Sequence, residues 1–187
     1  ALCPGYLMTE WDHAASREVD HVIGAFYLVR AGVFRALGGF DESFFMYFED
    51  LDFSFRARQA GWRSYYLAAV RAYHKGGGTS DQIRSTRLFY SLRSRLHYSR
   101  KHFSRQAAVC LAFCLFWLEP AVRLAACAIG GSPTGFRETL DAYRRLRWDE
   151  RLEDHLILWG LALILLSGFA RSWIDVSFPR WREFVRR

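Results

Sequence analysis

The chain has 187 residues, which is enough for one ordinary domain or for part of a larger one. Because 51% of its residues are apolar and 17% are aromatic, the composition excludes global disorder and allows a sizeable core. The formal charge of +7 comes from residues 81–147, where 12 Lys and Arg stand against 4 Asp and Glu, so this segment suits phosphates or anionic lipid headgroups.

The run VDHVIGAFYLVR (19–30) is rich in β-branched and aromatic residues and predicts a buried strand that Gly24 interrupts. The next stretch, AGVFRALGGF (31–40), predicts a short helix that ends at Gly38 and Gly39.

From Glu49 the apolar spacing becomes helical, and Gly61 is a natural residue for the position that follows a helix. The stretch RSYYLAAVRAYH (63–74) predicts a second strand, in which alternate residues up to His74 share one face. The flexible loop KGGGTS follows it.

A long basic and aromatic helix is predicted to begin after Ser80, its N-cap, in a composition typical of segments that lie on a membrane surface. The apolar run 107–118 falls short of the roughly 20 residues that span a bilayer. We expect Glu119 and Pro120 to kink or end this run, and we interpret it as interfacial or re-entrant. A further apolar run, 156–170, fits an interfacial helix, a tilted span or a docking helix, and the sequence does not choose.

The four cysteines predict neither a zinc site nor a disulfide framework, because no C-x-x-C pair occurs. We expect them to be reduced, as in a cytosolic protein: Cys3, Cys110, Cys114 and Cys127. The opening ALCPGYLMTE has no secretory signal and no initiator methionine, which fits a piece of a longer protein. Four histidines have no spacing that indicates a metal cluster: His13, His21, His97 and His102.

Five carboxylates stand among the aromatic rings of GGFDESFFMYFEDLDFSFRARQAGW. The ordinary explanation for Glu49 and Asp50 is that negative charge at a helix start complements the helix dipole and caps free N–H groups. Asp52 and Arg56 likewise have the spacing of a routine helical ion pair. The alternative is chemical, because a helix N-terminus beside a dry aromatic run keeps a carboxylate ionised, as a general base must be. His74, just before a glycine-rich loop that a ligand can approach closely, is a weaker candidate.

Taken in order, VDHVIGAFYLVR, LGGFDESFFMYFEDLDFSFRARQAGW and AYHKGGGTS resemble the acceptor half of family 2 glycosyltransferases with the GT-A fold. More narrowly, they are similar to bacterial rhamnosyltransferases that build lipopolysaccharide O-antigen or similar cell-envelope glycans. The resemblance covers residues 19–80 and continues more loosely to residue 146. It implies an α/β fold with a partial GT-A core, followed by amphipathic, membrane-associated helices.

We therefore expect three segments: the C-terminal half of a GT-A catalytic domain (1–80), basic membrane-associated helices (81–147) and a tail with a short apolar helix (148–187). The resemblance implies that Asp50 is the general base, with Glu49 beside it, and that His74 approaches the metal–diphosphate. The substrate-binding positions that it implies are Gly24, Ala25, Asp41, Gly76, Gly77, Thr79 and Ser80. Support of the catalytic helix would come from Asp52, Arg56 and Trp62.

The implied function is inverting transfer of a sugar, rhamnose or a similar hexose, from a nucleotide-diphosphate donor to a polyprenyl-linked or other glycan acceptor. In the family, an N-terminal half with a D-x-D motif binds the nucleotide and most of the divalent metal, Mg²⁺ or Mn²⁺. This chain lacks that half, so we expect it to be the C-terminal portion of a transferase and inactive alone.

The expected location is the cytoplasmic face of the bacterial inner membrane, where the chain would be peripheral or monotopic on anionic lipid. A hypothesis from another class is a membrane-associated binding or scaffolding remnant without catalysis. Arg and aromatic residues also interleave in residues 84–105, as in nucleic-acid modules, but the apolar run that follows favours a bilayer. We therefore expect no nucleic-acid partner.

Overall fold

The computed structural model describes residues 11–74 and 83–149. These residues divide into two compact units, a first unit (11–43 and 49–74) and a helical unit (44–48 and 83–149). The predictions for Cys3, for the loop at 75–80 and for the run 156–170 lie outside the described residues. In chain order the helices and strands are β1 (Arg17–Val19), α1 (Ala31–Ala36), α2 (Glu49–Gln59), β2 (Ser64–Tyr66), α3 (Arg84–His102), α4 (Arg105–Phe113), α5 (Glu119–Ile129) and α6 (Pro133–Asp149), with a 3₁₀ turn at Gly24–Phe26 and a π-helical segment at Cys114–Leu118.

The first unit has one two-stranded antiparallel sheet, in which Arg17 of β1 lies opposite Tyr66 of β2. Its core is formed where α1 packs against α2, through Val33, Phe53 and Ala57. Four half-buried side chains complete this core: Tyr27, Val29, Phe34 and Leu37. The α/β character that we expected is limited here to this small sheet, and the rest of the regular structure is helical.

Both strand predictions were too long. The strand predicted for 19–30 ends at Val19, and a 3₁₀ turn follows at Gly24–Phe26 because the Gly24 N–H donates to the side chain of Asp50 rather than to a neighbouring strand. The strand predicted for 63–74 covers only Ser64–Tyr66. Its continuation has no pairing partner, since β1 is three residues long, and residues 70–74 are exposed.

The helix ends that the sequence predicts at glycine residues are confirmed. Gly38 and Gly39, at φ of 75° and 76°, follow the last turn of α1, and the Gly39 N–H donates to the Phe34 carbonyl at 2.9 Å. Gly61, at φ of 86°, follows α2 in the same left-handed conformation. Glycine adopts this conformation without the clash that a Cβ would cause, so both helices end where the sequence indicates.

In the helical unit, α4, the π-helical segment and α5 form one uninterrupted helix of 25 residues, Arg105–Ile129. Of the two outcomes expected at Glu119 and Pro120, a kink or an end, the end was wrong, because the helix continues to Ile129. A proline removes one backbone donor from a helix, and the helix passes Pro120 directly after the π-helical segment. Close to this point the Phe116 carbonyl accepts a long hydrogen bond from Arg147 Nη2 at 3.4 Å. By length and composition alone, with a mean hydropathy of 1.7 over its most apolar stretch, this helix is long enough to cross a membrane. Core helices of soluble proteins pass the same test.

The core of the helical unit is formed by α3, the π-helical segment and α6, which contribute Leu92, Leu96, Leu115, Phe116, Tyr143 and Leu146. A charged cluster lies beside it, in which Glu119 accepts hydrogen bonds from Arg95 at 2.9 Å and from Arg123 at 2.7 Å. Burial and the charge of Glu119 raise the pKa of Tyr143 to about 12. The side of the long helix that carries Glu119 therefore faces α3 and α6.

Residues 44–48, which we call the aromatic turn, pack on α3 within the helical unit. Three ring pairs join them: Phe44 with His97, Phe45 with Tyr90, and Phe48 with Tyr98. The Ser94 hydroxyl donates to the Met46 carbonyl at 2.6 Å. Tyr47 and Phe48 have φ of 66° and 70°, a conformation that costs a residue with a Cβ on the order of 1 kcal/mol or more. Packing on α3 holds this strained conformation directly before Glu49.

Candidate active site at the start of helix α2

The carboxylate of Asp50 is held by backbone donors from two parts of the chain. Its Oδ2 accepts the Gly24 N–H at 2.6 Å, and its Oδ1 accepts the Leu51 N–H at 2.8 Å. His21 Nε2 lies 3.6 Å from Oδ2, at the limit of hydrogen-bond reach. The side chain of Asp50 keeps 14% of its surface exposed, so it remains accessible to a ligand.

These contacts decide the protonation state of Asp50. Burial raises its pKa, but the interaction with His21 and the N–H groups of Gly24 and Leu51 lower the pKa by more, so the pKa of Asp50 lies below its ordinary value. Hydrogen bonds donated to a carboxylate stabilise its charged form. Asp50 is therefore ionised at neutral pH and able to accept a proton.

Gly24 is suited to this approach because it has no side chain. A Cβ at this position would lie 3.2 Å from Asp50 Oδ2 and 3.5 Å from Asp50 Cβ. Contacts this short would push the carboxylate away from the N–H that it binds. Ala25, the next predicted site residue, lies exposed in the same 3₁₀ turn.

Glu49 is shifted in the opposite direction from its neighbour. Burial raises its pKa first, its own backbone N–H partly opposes this, and the charge of Asp50 raises the pKa further. Its Oε2 is buried and has no hydrogen-bond partner among the described residues. Adjacent carboxyl groups whose pKa values are pushed apart can take different roles in proton transfer. Here Asp50 is the ionised partner, and Glu49 is the one that more readily holds a proton.

Glu49 and Asp50 both line an open pocket of about 510 Å³, a size typical of small-molecule sites. Glycine, apolar and aromatic residues form most of its wall, and Arg35 adds a cation: the lining residues are Gly24, Tyr27, Val29, Ala31, Phe34, Arg35, Phe40, Glu49 and Asp50. The Tyr27 hydroxyl lies 3.0 Å from Ser54 Oγ, which ties the pocket wall to α2.

Arg56 joins the predicted support residue Asp52 to the end of α1. Its Nε donates to the fully buried Asp52 carboxylate at 2.7 Å. Its two terminal nitrogens donate to the carbonyls of Leu37 at 2.7 Å and Gly39 at 2.8 Å. This arrangement holds α2 against the turn that follows α1. Trp62 lies beyond the end of α2 with 46% of its surface exposed.

The other predicted site residues do not line the pocket or lie outside the described part of the chain. Asp41 caps its own turn by accepting the Ser43 N–H at 2.9 Å, and it does not line the pocket. His74 is exposed, and no hydrogen bond or ion pair joins it to another residue that the structure describes. Its metal role stays a prediction, as do the substrate-binding roles of the residues outside the described ranges: Gly76, Gly77, Thr79 and Ser80.

Sequence reasoning missed two residues of this site, His21 and Arg35. His21 precedes Gly24 by three positions in a stretch that we predicted as a strand, so no periodicity linked it to Asp50. Arg35 is explained by its place in the last turn of α1, where a cation suits the helix dipole. Within residues 11–74 and 83–149, no group of three or more His, Cys, Asp or Glu side chains is placed to hold a metal ion.

A family model described as "Glycosyltransferase like family 2" matches residues 7–106. The N-acetylglucosaminyl-diphospho-decaprenol L-rhamnosyltransferase of Mycobacterium tuberculosis is 42% identical over 60 residues, which are 32% of this chain and 20% of that protein. The rhamnosyltransferase WbbL of Escherichia coli is 34% identical over 98 residues, which are 49% of this chain and 37% of that protein.

A third relative, the low-salt glycan biosynthesis hexosyltransferase Agl10 of Haloferax volcanii, is 30% identical over 90 residues, which are 48% of this chain and 29% of that protein. The chain thus spans between a fifth and somewhat over a third of the length of these relatives. No solved structure matches it significantly.

Proposed function

The chain belongs to the family 2 glycosyltransferases, and from this membership we propose that it forms the acceptor side of an enzyme that transfers a sugar with inversion. The observation that carries the proposal is the environment of Asp50. Hydrogen bonds from the N–H groups of Gly24 and Leu51 help to lower the pKa of its carboxyl group, and Asp50 lines an open pocket. Membership of the family implies the GT-A fold, whose members generally use a divalent metal. Mg²⁺ or Mn²⁺ would stabilise the charge of the diphosphate leaving group when bound.

The proposed chemistry is a single displacement. The acceptor hydroxyl oxygen forms a bond to the anomeric carbon while the bond from that carbon to the nucleoside diphosphate breaks. The hydroxyl proton passes to Asp50 Oδ2 or Oδ1, and the nucleoside diphosphate leaves with its electron pair. A base with a lowered pKa remains unprotonated until the acceptor arrives, which is what this step requires.

The names of the relatives support a particular substrate class. Two of them are described as rhamnosyltransferases, and one of these names an acceptor in which a sugar is joined to a polyprenol through a diphosphate. We propose rhamnose or a similar hexose as the transferred sugar and a lipid-linked glycan as the acceptor. We propose that the reaction takes place at the cytoplasmic face of the bacterial inner membrane, where such an acceptor would be anchored.

The helical unit supports membrane attachment. The helix Arg105–Ile129 exposes large apolar side chains, Trp117, Leu118, Val122 and Ile129, and α3 carries basic residues in its last turn. Flotation with anionic vesicles tests this part, and a protein that stays in solution contradicts it. The same surface favours a second candidate, a membrane-bound scaffold without catalysis, in which Glu49 and Asp50 only cap α2.

The decisive experiment replaces Asp50 in the protein expressed from its natural open reading frame. Transfer from a nucleotide-activated deoxysugar to a polyprenyl-diphospho-sugar is measured for wild type, Asp50→Asn and the exposed control Asp12→Asn. We expect Asp50→Asn to lose about 10²- to 10⁴-fold in kcat, the usual contribution of a general base, and the control to keep wild-type activity. Undiminished turnover in Asp50→Asn would show that Asp50 is not the general base and would leave it only the capping role that the second candidate, a membrane-bound scaffold without catalysis, gives it.

A further inference from the structure

Arg35 is the cation among the residues that line the pocket. It lies in the last turn of α1, where Val33 faces the core and Arg35 is exposed. No hydrogen bond or ion pair joins its guanidinium to another residue in the described part of the first unit. The first unit also contains three arginines that do pair with a carboxylate: Arg56 with Asp52, Arg58 with Asp20, and Arg63 with Glu18. The structure therefore leaves the guanidinium of Arg35 available to a ligand.

The charge of the pocket makes this cation significant. Asp50 is ionised, and Glu49 adds a second carboxyl group to the same wall. An anionic substrate that enters beside these groups is repelled unless a cation offsets them. Guanidinium is the side chain best matched to phosphate, because its fixed N–H donors bind two oxygens at once.

The size and lining of the pocket indicate which kind of ligand could contact both Asp50 and Arg35. About 510 Å³ leaves room for a hexose, and the rings of Phe34 and Phe40 give it an apolar wall. Arg35 and Asp50 line this same pocket, so we expect that a sugar presenting its hydroxyl to Asp50 would bring a diphosphate on the same sugar towards the Arg35 side chain.

We propose that Arg35 binds the diphosphate of the lipid-linked acceptor and so selects diphospho-sugar acceptors over neutral glycosides. This inference rests on the proposed function, since it names the acceptor chemistry of the same site. Arg35 acts as a specificity residue, because it touches the acceptor away from the hydroxyl that reacts. The donor also carries a diphosphate, and the experiment separates these two sources.

The test compares two water-soluble acceptors with the same sugar, a short-chain alkyl diphospho-sugar and a neutral alkyl glycoside. In the protein from its natural reading frame, we expect Arg35→Gln to raise KM for the diphospho acceptor about 10- to 100-fold, the worth of a charged hydrogen bond. KM for the neutral glycoside, KM for the donor and kcat should stay near wild type. Arg35→Lys should restore part of the loss, and the exposed control Arg71→Gln should behave as wild type.

Other outcomes overturn the inference. An equal rise in KM for both acceptors shows that Arg35 has a structural role. A rise confined to the donor KM shows that Arg35 binds the diphosphate of the donor instead. Transfer by wild type to neither acceptor refutes the proposed function itself. Binding of metal-free inorganic pyrophosphate, measured by calorimetry, is independent of turnover, and equal binding by wild type and Arg35→Gln also overturns the assignment.

Discussion

Replacing Gly24 by alanine tests whether the backbone N–H at this position keeps Asp50 ionised. The new Cβ would lie 3.2 Å from Asp50 Oδ2 and 3.5 Å from Asp50 Cβ. The carboxylate must move by a few tenths of an ångström to relieve this contact. That movement lengthens the hydrogen bond from the Gly24 N–H, which is now 2.6 Å.

The expected effect is a rise in the pKa of Asp50, because this hydrogen bond is one of the interactions that lower it. A hydrogen bond to a charged group contributes about 1.5–3 kcal/mol, so losing about half of it weakens the ionised form by about 4- to 12-fold. The acid limb of the kcat/KM profile should therefore move towards neutral pH. On that limb kcat/KM should fall by about 4- to 12-fold, whereas the plateau at higher pH should change little.

The assay is the pH dependence of kcat/KM for sugar transfer, measured for wild type, Gly24→Ala and Gly32→Ala. Gly32 is a matched control, since it lies in α1 with no atom within 4 Å of an added Cβ and no left-handed φ. We expect Gly32→Ala to keep the wild-type profile and to stabilise α1 by about 0.5–1 kcal/mol. The reasoning fails if the acid limb of Gly24→Ala stays in place, or if both variants shift it equally.

Three further predictions concern stability, each measured by chemical denaturation. The raised pKa of Glu49 means that the folded state disfavours its charge, so stability falls as pH rises from the unfolded pKa through the folded one. Glu49→Gln should therefore stabilise by about 1 kcal/mol at neutral pH and lose this gain well below pH 4, and a gain independent of pH contradicts the assignment. Arg56→Met leaves the buried Asp52 carboxylate without its guanidinium and should cost about 3 kcal/mol, against a much smaller loss for the exposed Arg63→Met. Ser94→Ala removes the 2.6 Å hydrogen bond that supports the aromatic turn and should cost about 1–3 kcal/mol, and an unchanged midpoint refutes that support.

Features that depend on neighbours in sequence could be predicted from it. Gly38, Gly39 and Gly61 mark helix ends because a left-handed φ is a local requirement, and the acidic pair at Glu49 marks the helix start for a similarly local reason. The motif order also gave the family, since each of its parts lies within one short stretch.

Features that depend on distant partners could not be predicted. The Gly24 N–H and Asp50 are 26 residues apart in sequence. The run around Gly24 has the composition of a strand, but its backbone forms a hydrogen bond with this distant carboxylate instead of with a neighbouring strand. The helix continues past Pro120, and near this point Arg147, 31 residues beyond Phe116, donates to the Phe116 carbonyl. Strand length failed for a related reason, since a strand extends only as far as its partner.

The π-helical segment Cys114–Leu118 sets the register of everything that follows it in the long helix. A π turn holds one residue more than an α turn, and each residue rotates an α-helix by about 100°. Winding the same residues as an ordinary α-helix would therefore rotate Glu119 about a quarter of a circle away from Arg95. Deleting one residue here would instead restore an ordinary turn and keep Glu119 on the side that faces Arg95. A helix one residue shorter at this point could therefore keep its acid opposite Arg95 with an ordinary α turn, because the π-helical segment absorbs the extra residue.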